Sequence, residues 1–282
     1  MKRKKTAFTL VELLTVLAVM SLLIGILIPS MKMAQNAART AKQKIQLVSI
    51  EQALLAFRND YGDYPPSDTT NTLNYGGAQK LAEALLGWDL LGFHPQSGWW
   101  SDGMNEQRTD KVYLGTDSDI LQRRPRYLEL ETANAFLLGD LPIADPRRRG
   151  DGLFNNTGAL NPDTYVLCDV FNRFQVTVGG KVVKAGTPIL YYRANPFGIG
   201  LDPRNPQNSN YNYWDNAELV HLGINNWAET EFYNFIIDPR LEKSRPAGAR
   251  PWPYKPNSYI LISAGIDGLY GTGDDIANFG NK

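Results

Sequence analysis

The sequence predicts an α+β protein: one long N-terminal helix, apolar in its first half, packed through its second half on a C-terminal antiparallel head. Three observations carry this expectation. A largely apolar run spans Phe8 to Pro29; an amphipathic pattern continues from it to Tyr61; short strand-like segments then alternate with Gly- and Pro-rich turns. At 282 residues, with 43% apolar and 21% charged, the bulk has the composition of a globular protein.

The first element is basic. Lys2, Arg3, Lys4 and Lys5 precede the apolar run, whose 22 residues reach about 33 Å as a helix, close to the ~30 Å hydrocarbon core of a bilayer. A cleaved secretory signal is cut after its apolar region at small residues. Here Ser30-Met31-Lys32-Met33 follows, a poor context for such a cut. The run therefore reads as a retained membrane helix with its basic start on the cytoplasmic side. Glu12 breaks the pattern. A carboxylate in lipid costs roughly 2.5–3.5 kcal/mol on insertion scales, so it calls for either hydration at the membrane edge or a partner charge. Cleavage before Phe8 would create an α-amino group at the same end of the helix.

The helical pattern continues beyond the membrane length. Leu47, Ile50, Leu54, Phe57 and Tyr61 recur every three or four residues as one apolar stripe, with Lys32, Arg39, Lys42 and Lys44 on the other side. Pro29 kinks or locally loosens the helix without ending it. Ala34, Ala37, Ala38 and Ala41 would allow close helix contacts or act only as good helix formers. Gly62-Asp63-Tyr64-Pro65-Pro66 stops the element, about 80 Å from Phe8 if continuous.

A second short helix is expected over Ala78–Leu86. Strands are expected at Tyr165–Val170, Arg173–Val178, Lys181–Lys184, Ile189–Arg193 and Tyr259–Ile262, as an antiparallel meander, with Gly179-Gly180 turning a hairpin. The stretch from about 87 to 250 is long and loop-rich, with no repeat and no clean linker.

Chemistry is sparse. His94 and His221 are far apart without metal-ligand spacing, and Cys168 lies in an apolar strand context, so each is expected to be a structural or surface residue. No phosphate-binding loop, dinucleotide fingerprint or nucleophile elbow occurs. Trp99, Trp100, Tyr211, Tyr213, Trp214 and Trp227 are expected mainly to fill core, with a sugar- or peptide-binding surface as the alternative. Arg123, Arg124, Arg126 and Arg147–Arg149 are expected as solvated loop charge. Loss of residues 1–7 would leave 25 basic against 29 acidic residues, about −4, and no nucleic-acid partner is expected of such a chain.

The string Ala7-Phe8-Thr9-Leu10-Val11-Glu12-Leu13-Leu14 resembles the prepilin peptidase signal of type IV pilins and type II secretion pseudopilins. The resemblance implies cleavage between Ala7 and Phe8, methylation of the new terminus, and pairing of Glu12 with the terminal amine of a neighbouring subunit. Pro29 matches the family's mid-helix proline; Ala7 departs from the commoner glycine. The segment from Ile50 to Pro65 is similar to the helix end of major pseudopilins.

Near the C-terminus, Asp267, Asp274 and Asp275 fall within nine residues, in a loop with glycines at 265, 268, 271 and 273. Oxygen-only donors on such a loop suit Ca²⁺, though an Asp-Gly turn alone explains the pattern and the EF-hand spacing is missing. The loop resembles the calcium loop of the major pseudopilin. That likeness implies side-chain ligands from Asp267, Asp274 and Asp275 and carbonyl ligands from Ala264 and Thr272, holding a structural ion.

The resulting expectation is a leader over 1–7, a membrane and assembly helix over 8–31, its amphipathic continuation over 32–64, and a head over 65–282. The implied role is a non-enzymatic filament subunit, foremost of a type II secretion pseudopilus, anchored in the cytoplasmic membrane with its head outside. Implied partners are further copies and other pseudopilins, prepilin peptidase, an inner-membrane assembly platform and lipid. A type IV pilin, a minor pseudopilin and an anchored binding protein are the alternatives.

Overall fold

The computed structural model describes residues 9–69, 75–141, 160–221 and 227–280. Its first element, α1, runs unbroken over Leu10–Tyr61, 52 residues that include Pro29. At 1.5 Å per residue this is about 78 Å. The chain divides into two compact units between Ala41 and Lys42. Among its described residues, the first is helix from Leu10 onward. Its Leu, Ile, Val and Met side chains from Leu10 to Met33 are exposed, and one stretch is long and apolar enough to cross a membrane.

The second unit buries the rest of α1 along Leu47, Ile50, Ala53, Leu54 and Phe57. Two glutamines extend this face. Gln46 Nε2 donates to the carbonyls of Thr132 (3.0 Å), Ala133 (3.3 Å) and Cys168 (3.0 Å). Gln43 Oε1 accepts from the Val170 N–H at 2.9 Å. These backbone groups face the helix outside any ladder, and a buried peptide group left unpaired is costly. On the opposite face, Ile45, Val48 and Leu55 stay at least half exposed.

The head that receives this face is α+β. Helix α2 (Gly77–Leu86) is buried along its whole length. Short helices α3 (Asp117–Ile120) and α4 (Leu130–Ala133) follow. Strand β1 (Ala135–Leu137) pairs antiparallel with β2 (Tyr165–Leu167). Strands β3 (Phe174–Val178) and β4 (Lys181–Ala185) form the expected hairpin, with Gly179 and Gly180 both at positive φ. Strand β5 (Leu190–Arg193) pairs with β6 (Tyr259–Ser263), which pairs with β7 (Ile276–Ala277). Helices α5 (Ala217–His221), α6 (Glu229–Ile236) and α7 (Pro239–Glu242) lie between β5 and β6.

Two expectations are corrected here. The strands form three small antiparallel sheets, not one meander, because the long 194–258 connection separates β5 from its partner β6. The strand expected over Tyr165–Val170 ends at Leu167; Cys168 makes an isolated bridge to Pro188, and Asp169 uses its carboxylate to hold the Phe171 and Thr187 N–H groups. The apolar strand Tyr259–Ser263 is buried at every position, which suits a central strand covered on both faces.

Candidate functional site

Ala7 and Phe8 lie outside the described residues. Thr9 and Glu12 close the first turn of α1 reciprocally. Glu12 Oε2 accepts from the Thr9 N–H (2.8 Å) and from the Thr9 hydroxyl (2.7 Å), while the Glu12 N–H donates to the Thr9 hydroxyl oxygen at 3.2 Å. This is a capping box: Thr-x-x-Glu satisfies two N–H groups that no helical carbonyl can reach. The Thr-x-x-Glu spacing that signals such a box is present in the sequence at Thr9 and Glu12.

At the other end of the chain, β6 delivers Ala264 into the acidic loop and β7 closes it. Gly265 sits at φ +65°, and a Cβ there would collide with the backbone carbonyl of Asp274, so the two ends of the loop touch through a residue that only glycine supplies at no cost. Asp274 Oδ2 accepts from the Asp267 N–H at 2.9 Å and Oδ1 from the Thr272 hydroxyl at 2.6 Å. Asp267 Oδ1 accepts from the Leu269 N–H at 2.8 Å. Asp275 Oδ2 accepts from the Gly271 N–H at 2.7 Å. The Ala264 carbonyl accepts from the Gly268 N–H at 3.1 Å, and the Thr272 carbonyl faces the Asp275 N–H at 3.5 Å.

The three carboxylates are not equivalent. Burial raises the Asp275 carboxyl to about 7 against the hydrogen bond from Gly271, and the charges of Asp274 and Asp267 push the same way. Burial also raises Asp274, but the Thr272 hydroxyl and the Asp267 N–H outweigh it and hold that group below the usual range. Asp275 is 4% exposed, and its Oδ1 is buried with no hydrogen-bond partner. The donor chemistry therefore fits a hard cation: all oxygen, acidic, with one buried oxygen unmatched. Among the described residues, no three acidic, histidine or cysteine side chains already stand as a metal cage. The carboxylates instead brace their own loop.

Residues 2–28 match the family model for the prokaryotic N-terminal methylation motif, about a tenth of the chain. The chain carries that motif. No curated protein and no solved structure matches it. With the long apolar helix, the methylation motif supports a type IV pilin-like subunit of a pilus-like filament, membrane-anchored with its head outside. It implies processing by a prepilin peptidase and assembly into a multi-subunit structure.

Elsewhere, the other candidate groups divide between packing and surface, and Trp214, expected to help fill the core, is among the exposed ones. Tyr211, Tyr213 and Trp227 are core residues, Trp99 and Trp100 are half-buried, and Trp214 is 48% exposed. His94 is buried and faces Asp119 at 3.5 Å. Cys168 is buried, with its thiol pushed well up by that burial. Arg124 and Arg126 are exposed as expected, but Arg123 is a correction: it is buried, paired with Asp119 and with Asp89 at 2.5 Å, and packed on the Tyr113 ring. Its carboxylate partners lie 4 and 34 residues away, and nothing local announces the distant one. Arg147, Arg148 and Arg149 lie outside the described residues; His221 ends α5.

Proposed function

We propose that this chain is a structural subunit of a filament, specifically of the pseudopilus of a type II secretion system. The observation that carries the reading is the methylation motif over residues 2–28 set on a helix whose apolar side chains are exposed throughout its first unit. Exposed aliphatic surface on this scale needs cover. Lipid supplies it before assembly, and the helices of neighbouring copies supply it afterwards. Glu12 then has two tasks. It caps its own helix, and once Phe8 is a free amine it draws the incoming subunit by charge in a low dielectric, where such pairing is strongest.

The secretion assignment rests on the acidic loop. We propose that Asp267, Asp274 and Asp275, with the carbonyls of Ala264 and Thr272, hold a structural Ca²⁺ that is not part of any chemical step. Support comes from the all-oxygen donor set and the unpartnered, buried Asp275 Oδ1. A bound ion would neutralise three carboxylates that now depend on backbone N–H groups and the Thr272 hydroxyl.

Expression of the full chain with a prepilin peptidase and an assembly platform tests the role. Mass spectrometry is expected to find a methylated Phe8 as N-terminus, and electron microscopy to find filaments. An intact Met1 start with no filaments overturns it. Deletion of the chain in its host is expected to stop protein export while leaving surface pili in place; the opposite pattern makes it a pilin instead.

A further inference from the structure

The β3–β4 hairpin is fixed at its foot and free at its turn. Val176 and Ala185 are buried in the head core, and Val183 packs against it. At the other end, a Cβ built on Gly179 or Gly180 would meet nothing within 4 Å. Val178 and Val182, one on each face of the ribbon, are 47% and 68% exposed. Among the described strands, β3 and β4 pair only with each other, so both outer edges are open.

The charge on this element has one sign. Lys181 and Lys184 are exposed on β4, Arg173 is exposed at the foot, and no Asp or Glu occurs between Asp169 and Asp202. Among the described residues, no carboxylate pairs with either lysine. Arg173 lies over Gly268, which puts the acidic loop at the foot of the hairpin. Lysines on an open edge discourage unwanted strand pairing, but carboxylates do so as well, and that task does not explain the single sign. Exposed aliphatic side chains set among cations match a surface that is anionic outside and apolar beneath, as a phospholipid bilayer is.

The anchor of the chain brings such a surface within reach. The Val170 N–H donates to Gln43 Oε1, which fixes the segment leading into the hairpin to α1. Ten residues of chain separate Gln43 from Met33, the last large exposed apolar side chain of the first unit. Whatever their conformation, they span at most about 36 Å. The hairpin strands, five residues each, add about 17 Å. Contact between the turn and the bilayer thus closes a short tether, and a high effective concentration makes a few weak contacts sufficient.

We propose that the β3–β4 hairpin rests turn-first on the anionic headgroups of the bilayer that anchors the chain, with Lys181 and Lys184 on lipid phosphates and Val178 and Val182 in the interfacial layer. The contact requires the membrane anchor and is independent of the secretion assignment and of the acidic loop's metal.

The test places the full chain, one per disc, in nanodiscs of phosphatidylcholine with or without about one-third phosphatidylglycerol, in EDTA so that no Ca²⁺ bridges the lipid. Val182→Cys carries an environment-sensitive fluorophore, and a lipid spin-labelled at its headgroup quenches it on contact. Cys168 is buried, so the label goes to the new thiol. Quenching is expected in the anionic discs. The ratio of bound to free hairpins should be about 10-fold lower for Lys181→Gln/Lys184→Gln, lower again for the double Glu variant, and similarly reduced when salt shortens the Debye length to about 3 Å. Both lysines are exposed, so these variants should melt as the parent does. No quenching in a chain that is fully disc-bound overturns the proposal while leaving the anchor intact. Equal quenching in the two lipids, or in the double Glu variant, also overturns it. Contact that appears only with two or more chains per disc overturns it in favour of a neighbouring copy.

Discussion

Glu12 and Thr9 satisfy each other: the carboxylate takes the Thr9 N–H at 2.8 Å, and the Thr9 hydroxyl takes the Glu12 N–H at 3.2 Å. One residue thus carries a local helix-capping task and, in the proposed assembly, a charge task. The two are separable. Glu12→Gln keeps a capping-box residue and removes the charge, whereas Glu12→Ala removes both. Glu12→Gln is expected to be cleaved and methylated normally but to yield no filaments by electron microscopy. Normal filaments from Glu12→Gln, with loss only in Glu12→Ala, would assign Glu12 to capping alone.

The acidic loop makes a second prediction. Addition of Ca²⁺ to metal-free full chain at pH 8 is expected to raise Tm by several degrees, since a ligand that binds only the folded state stabilises it by mass action. Asp275→Asn removes the buried carboxylate at the unpartnered position and should cut that rise to a small fraction. A calorimetric melt unmoved by Ca²⁺ would remove the site and, with it, the main support for the secretion assignment.

Three buried carboxyls, Asp169, Asp215 and Asp275, are each raised to about 7, burial being the largest cause. A raised carboxyl pKa means that the folded state holds the proton more tightly than the unfolded chain. Its stabilising contribution is complete below about pH 4 and is lost as pH rises toward 7. Metal-free protein is therefore expected to lose stability between about pH 4 and 7 in urea melts, with the slope levelling off above that. Asp215→Asn, which keeps an acceptor for Ser67, should flatten part of that slope; an unchanged slope would show that Asp215 does not titrate there.

The two faces of α1 in the head separate folding from assembly. Ile50→Ala opens a cavity at a fully buried position and should cost about 2–5 kcal/mol. Ile45→Ala, at a position 67% exposed, should stay within about 0.5 kcal/mol. Ile45→Asp is expected to leave the melting curve alone and reduce filament yield, because the exposed face of the helix is where a neighbouring copy would lie. Equal filament yield from Ile45→Asp would place the contact elsewhere.

The apolar run, the Leu47–Phe57 stripe, the Gly179-Gly180 hairpin and the Tyr259 strand were all legible because each rests on a local period or a turn residue. Gln43 and Gln46 were not, since polar residues on an apolar stripe break the period by which a buried face is recognised. Their reason lies in carbonyls and an N–H at residues 132–133, 168 and 170, close only in the fold. Arg123 misled for the same cause: an arginine looks solvated until Asp89 is brought beside it.

The sequence alone determined that a long apolar helix begins the chain, that Glu12 stands near its start, and that three aspartates share one glycine-rich loop. These are covalent spacings, and hydrophobic periodicity and turn chemistry act over a few residues. Only the tertiary structure decided that the strands split into three small sheets, that Asp275 keeps a buried oxygen without a partner, and that the β3–β4 hairpin holds its turn clear of the head. Burial and pairing set those outcomes: what a carboxylate or an amide does depends on the groups that folding brings to it and on how far folding removes it from water.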